Sequence, residues 1–148
     1  MEINMDVLLS VKPKFAYEIV SGTKRYELRK RIFNTNKVNR IYIYSSSPEM
    51  RIIGSFKVGT VLRDHPDKLW EMVKNDSGID YQTYSNYFKG KKEGYAIQID
   101  DLKVLDPPID PREGNPDFIA PQSYQYIRTP QVYTQKNECT IFSEYPCK

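Results

Sequence analysis

The sequence predicts an α+β domain in which a small mixed β barrel carries one early helix and a two-helix insertion. Three observations predict it. Runs rich in β-branched and aromatic residues recur along most of the chain, a short helix-spaced segment follows the first of them, and residues 64–92 interrupt the strand pattern before it returns. The 148 residues suit one ordinary domain. Its expected limits are 1–128, with 64–92 as the helical insertion and 129–148 as a C-terminal tail.

The elements follow in order. "DVLLSVK" (6–12) is a short apolar run and reads as a buried strand. "PKFAYEIVSG" (13–22) reads as a helix, because Pro13 suits a first turn and Gly22 an exit. Phe15, Ala16, Ile19 and Val20 then form one apolar stripe, opposite Lys14, Tyr17, Glu18 and Ser21. After Gly22 the period becomes two. Tyr26, Leu28 and Ile32 fall on one parity, and Arg25, Glu27, Arg29 and Arg31 on the other. "RIYIYSSS" (40–47) and "RIIGSFKVGTVL" (51–62) read as further strands, the latter bent at Gly54 and Gly59. "HPDKLWEMVKN" reads as a helix with Leu69, Met72 and Val73 inward, and "DYQTYSNYFKG" as a second one ended by Gly90. "EGYAIQIDDLKVL" (93–105) returns to strand alternation. The proline-rich "DPPIDPREGNPDFIAPQSYQYIRTP" predicts an ordered loop, then a short strand or 3₁₀ turn, with Phe118, Ile119, Tyr124, Tyr126 and Ile127 available to pack.

Composition narrows the function. No stretch approaches the roughly 20 apolar residues of a membrane span, and "MEINMDVLLSVK" is acidic where a secretory signal is basic, so a cytoplasmic protein is expected. Cys139, Cys147 and the single His65 make neither a disulfide framework nor a zinc set. The phosphate-loop, dinucleotide-binding and metalloprotease fingerprints are all missing. The reading therefore includes no metal and no cofactor. Charge is uneven: residues 1–63 hold 12 Lys+Arg against 5 Asp+Glu, whereas residues 64–148 hold 10 against 14. A basic half fits a phosphate-bearing ligand, although two halves can also pair their charges across one fold.

The most basic stretch is "SGTKRYELRKR" (21–31), with five cations around Glu27. On an extended strand Glu27 and Arg29 share a side, about 7 Å apart. Nearby positive charge favours an ionised carboxylate, which can accept from a base or act as a general base. Arg29 offers a planar fork for phosphate. Lys24 precedes the strand, so parity does not fix its direction. The pattern suits a ligand cleft and equally a solvated edge strand protected by charge.

"LLSVKPKFAYEIVSGTKRYELRKR" (8–31) resembles the opening of ASCH domains, members of the PUA-like superfamily, whose helix ends in glycine before a GxKxxExR strand. Gly22, Lys24, Glu27 and Arg29 supply every element of that motif. "IYIYSSSPEMRIIGSF" (41–56), "GYAIQIDDLKVLDPPI" and "PQSYQYI" resemble later family strands, so the likeness covers about residues 6–128 with 64–92 variable. The resemblance implies a PUA-like pseudobarrel, an early helix against it, and a cleft between them lined by Lys24, Glu27 and Arg29. It also implies RNA or a nucleotide-like small molecule as ligand. Some small relatives are hydrolases, removing acyl groups from modified cytidine or cleaving RNA. If this chain is one, Lys24 and Glu27 are the expected catalytic pair. The deacylases carry threonine where this chain has Glu27, which makes the pocket here bulkier and more acidic.

Lys12, Arg31, Tyr44, Ser45 and Ser46 complete the expected ligand set. Lys12 and Arg31 add charge for phosphate. The three hydroxyls either hold ligand or shape the turn before Pro48. Trp70, Tyr81, Tyr84, Tyr87 and Phe88 can stack on bases, form core, or dock a protein partner on the insertion.

Overall fold

The computed structural model describes residues 5–127. The expected tail with Cys139 and Cys147 lies outside them. The elements are β1 (Met5–Val11), α1 (Pro13–Val20), β2 (Tyr26–Arg29), a 3₁₀ turn (Thr35–Lys37), β3 (Val38–Ser45), β4 (Arg51–Asp64), α2 (Pro66–Val73), α3 (Tyr81–Tyr87), β5 (Gly94–Ile109), α4 (Pro111–Gly114) and β6 (Tyr124–Ile127). The strands form one sheet in the order β2-β5-β4-β3-β1-β6. β1 and β3 are parallel, and the other neighbours are antiparallel. No helix of the described residues is long and apolar enough to cross a membrane.

Both faces of the central strands are covered, which is why β1 and β3 read as unbroken apolar runs rather than alternating ones. Val7, Leu9 and Val11 of β1 and Ile41 and Ile43 of β3 join Ile53, Phe56 and Ile97 in one core, which α1 caps with Ala16 and Ile19. Their neighbours Leu8, Tyr42 and Tyr44 point the other way, onto Ile52, Leu105, Phe118 and Ile127. A third cluster packs Leu69, Val73, Tyr84 and Phe88 of the helical insertion on Leu28 and Ala96.

The sheet curls because β4 slips register three times against β5, between Ile52 and Gly54, Ser55 and Lys57, and Val58 and Val61. At Gly54 an added Cβ would lie 3.0 Å from the Lys103 carbonyl oxygen and 3.1 Å from a Val20 methyl, so α1 and β5 both close on bare backbone there. The edge strands β2 and β6 do not pair through backbone. Contacts through side chains join them instead: Arg29 Nη2 donates to Ser123 Oγ, the tilted rings of Phe33 and Tyr124 pack with centres 5.1 Å apart, and the Asn34 backbone amide donates to the Tyr126 hydroxyl at 3.0 Å. The result is an open pseudobarrel with a side-chain seam.

Three local expectations need correction. β5 continues through Pro107 and Pro108, which lie beyond the β2 pairing and inside the bulge against β4 between Val104 and Ile109, where the ladder is already interrupted. Met72 is 47% exposed, because the eight-residue α2 buries the face of Pro66, Leu69 and Val73 instead. Ile119 is exposed rather than packed, while Phe118 and Ile127 are buried as expected. His65 stands exposed as the cap of α2, its Nδ1 accepting from the Asp67 amide at 3.1 Å.

Candidate functional site

The parallel strands β1 and β3 end side by side, with Ser10 opposite Tyr44 and Val11 opposite Ser45. Just beyond them lies a cavity of about 590 Å³. The start of α1, the turn after β3, β2, α3 and the loop before β6 all contribute to its wall. Its volume suits a ligand of nucleotide size.

Lys24 lies at the exit of α1, where its amide donates to the Glu18 carbonyl at 2.9 Å. Only 4% exposed, it donates from Nζ to the Ser77 carbonyl at 2.6 Å and stands 5.5 Å from the centre of the Phe15 ring. An ammonium has three donors, so two remain for a ligand. Burial pulls its pKa below the ordinary lysine value, against the opposing pull of Glu27 and then Glu18.

Glu27 sits on β2 opposite Ile97 of β5, on the strand face that looks into the barrel. It is 7% exposed, and burial raises its carboxyl pKa against the influence of Lys24 and Arg29. Its Oε2 lies 3.7 Å from Arg29 Nη1, which is an ion-pair distance but too long for a hydrogen bond. Arg29 Nε is buried with no partner among the described residues. β2 is thus an edge strand, but it is not a solvated one. Its charged parity turns inward, and Leu28 on the other parity packs beneath the insertion.

The structure brings Lys12, Lys24, Glu27, Arg29, Tyr44 and Ser46 together on this cavity. Arg31 is exposed and Ser45 fully buried, and neither lines it. Arg31 falls past the end of the four-residue β2, so strand parity no longer governs it. Ser45 alternates away from Tyr44, onto the face of Ile41 and Ile43. Sequence reasoning missed Arg112 and Gln122, which arrive from the segment before β6. No local pattern marks them; only the long return of the chain brings them here.

The aromatic insertion divides its tasks. Tyr84 and Phe88 are core, with Trp70 4.7 Å from Tyr84, whereas Tyr87 lines the cavity. The Tyr87 hydroxyl is pushed up, mainly by burial and also by Glu27, with Arg29 opposing. Among the described residues no cluster of His, Cys, Asp and Glu suits a metal ion. Chemically the cavity offers a buried acid–base couple moved toward neutrality from both sides, cations at its wall, and the flat faces of Phe15 and Tyr87.

An open pseudobarrel with an early helix over it, and a pocket between the two, defines the PUA-like class. Within that class the chain belongs to the ASCH domain family, whose sequence profile matches residues 9–103. An ASCH domain-containing ribonuclease of Zymomonas mobilis is 30% identical over 133 residues, 88% of each chain. The crystal structure of ASCH from Zymomonas mobilis superposes with a TM-score of 0.76 at 29% identity, covering 84% of this chain and 88% of that one. Crystal structures of a serine-to-alanine and a tyrosine-to-phenylalanine mutant from the same organism give TM-scores of 0.76 and 0.75. Large ribosomal subunit protein uL22 of Ureaplasma parvum is 24% identical over 127 residues, of which this chain spans 40% of the length.

Proposed function

We propose that this ASCH domain binds single-stranded RNA with one nucleotide in the cavity and cleaves the adjoining phosphodiester, with Lys24 and Glu27 as the proton-transfer couple. The observation that carries the reading is the pairing of these two buried groups on one cavity wall with Arg29, whose Nε has no partner among the described residues. The Zymomonas mobilis ribonuclease in the same family supports RNA as the substrate class. Unstacked bases need flat apolar walls, which Phe15 and Tyr87 supply.

The chemistry balances without a further reactant. A ribose 2′-hydroxyl attacks phosphorus, and its proton passes to the Glu27 carboxylate. The bond from phosphorus to the 5′-oxygen breaks, and that oxygen takes a proton from the Lys24 ammonium. Arg29 holds the non-bridging oxygens as negative charge gathers on them. A depressed lysine pKa makes Lys24 a better acid, and a raised carboxyl pKa makes Glu27 a better base.

The test is incubation with single-stranded RNA and, separately, with acylated cytidine, both in EDTA. RNA cleavage falling at least ~100-fold in Lys24→Ala and Glu27→Gln is the expected result. Salt-sensitive RNA binding without turnover would leave a binding module. Turnover of acylated cytidine alone would assign an amidohydrolase.

A further inference from the structure

A second hollow of about 420 Å³ lies against the main cavity, and the two share Phe15, Ile79 and Thr83 as a common wall. Phe15 comes from α1 and the other two from the insertion, so this wall is the lip where helix and insertion meet. Cations stand on both sides of it. Lys12 and Lys24 line the main cavity; Lys14 and Lys74 line the second hollow. Lys14 Nζ lies 5.7 Å from the Phe15 ring centre, and Lys24 Nζ lies 5.5 Å from the same ring. Lys12 and Lys14 flank Pro13, whose fixed backbone holds them apart at the entry of α1.

We infer that the second hollow is a subsite for the neighbouring nucleotide of an oligonucleotide, with the strand crossing the Phe15–Thr83 lip and Lys14 and Lys74 holding its phosphates. This deepens the proposed RNA reading and rests on it. The existing partners of these groups leave room for phosphate. Among the described residues Lys74 Nζ meets only Glu71 of its own helix, at 2.8 Å in an exposed pair, which costs little to exchange. Asp80, the acidic group of the hollow, caps α3, accepting from the Thr83 amide at 2.8 Å, and its attraction to Lys14 is the weaker of its interactions. Thr83 and Tyr87 lie one turn apart on α3, and both face the main cavity, so that helix face forms a track leading out of it.

The substrate implied is a strand of two or more nucleotides, not a free nucleoside. The test compares a labelled mixed-sequence RNA octamer with the four nucleoside monophosphates, on wild type and on the double variant Lys14→Ala/Lys74→Ala. Octamer affinity is expected to fall roughly tenfold, with the salt slope reduced by about 1.4 for two lost phosphate contacts, while monophosphate affinity stays unchanged. Lys14→Arg/Lys74→Arg is expected to restore both readouts. Unchanged octamer binding, or equal losses for octamer and monophosphate, overturns the subsite and leaves the main cavity's role standing. Wild type binding neither probe overturns the reading of both.

Discussion

Two buried ionic clusters occupy opposite ends of the same pair of parallel strands, and they differ in how fully their polar atoms are used. Where β1 and β3 begin, Arg40 is 3% exposed, yet each guanidinium nitrogen is matched. Its Nε donates to Ser55 Oγ at 3.0 Å, Nη1 to Asp101 Oδ2 at 2.9 Å, and Nη2 to the Asp101 carbonyl at 2.7 Å. Asp6 beside it accepts from the Arg40 amide at 3.0 Å. Where the strands end, Arg29 donates from Nη2 to Ser123, but its Nε has no partner among the described residues, its contact to Glu27 is a loose 3.7 Å, and an open cavity stands before them. A buried charge is costly unless its bonds are complete. The first cluster completes the guanidinium's bonds within the protein, leaving Asp6 Oδ2 as its one unpartnered atom among the described residues, and locks the strand entrances. The second leaves the Arg29 Nε open, as the proposed RNA site requires.

Truncation separates the two most sharply. Arg40→Ala takes the side-chain donors from Ser55 and Asp101 and the opposing charge from buried Asp6, whose bond from the residue 40 amide survives, and is expected to lower stability by about 3–5 kcal/mol, measured by urea unfolding. Arg29→Ala, a change of the same chemistry, is expected to cost no more than ~1 kcal/mol while abolishing RNA binding. Equal losses of stability at both ends would make the cavity cluster a structural ion pair and remove the distinction.

The cavity end was far more legible in the sequence than the other. The two-residue period after Gly22 puts Glu27 and Arg29 on one side, and the resemblance to the GxKxxExR motif adds Lys24 to them. What they leave open is direction. A four-residue β2 has no parity beyond its ends, so Arg25 and Arg31 look equivalent to Glu27 on paper and are exposed in fact. The clamp on Lys24 is a main-chain carbonyl, that of Ser77, and carbonyls leave no trace in residue identity. At the other end, Asp6 and Arg40 were read as ordinary members of the strand runs. The available signal was a charge inside each of two apolar runs that pair, for which burial demands a partner. Arg40's partner Asp101 lies 61 residues away in β5, and its backbone is held at φ 47°, which no sequence period encodes.

Acidity offers the finer contrast, since burial raises the carboxyl pKa at both ends. Asp6 rises to about 6, mainly through desolvation, with Arg40 opposing; Glu27 rises for the same reason, with Lys24 and Arg29 opposing. A folded-state pKa above the unfolded value of 3.8 means that the folded chain holds the proton more tightly. The contribution of Asp6 is therefore fully present below pH 3.8 and lost as pH rises toward 6, a difference of about 3 kcal/mol. Asp6→Asn is expected to gain on wild type across that window, and the gain should level off above it in unfolding curves from pH 4 to 8. Glu27→Gln is expected to gain in the same sense. Only the second substitution should remove RNA cleavage, because only Glu27 faces the cavity. Loss of cleavage in Asp6→Asn would show that the strand entrances and the cavity act as one unit, which their separate hydrogen-bond sets argue against.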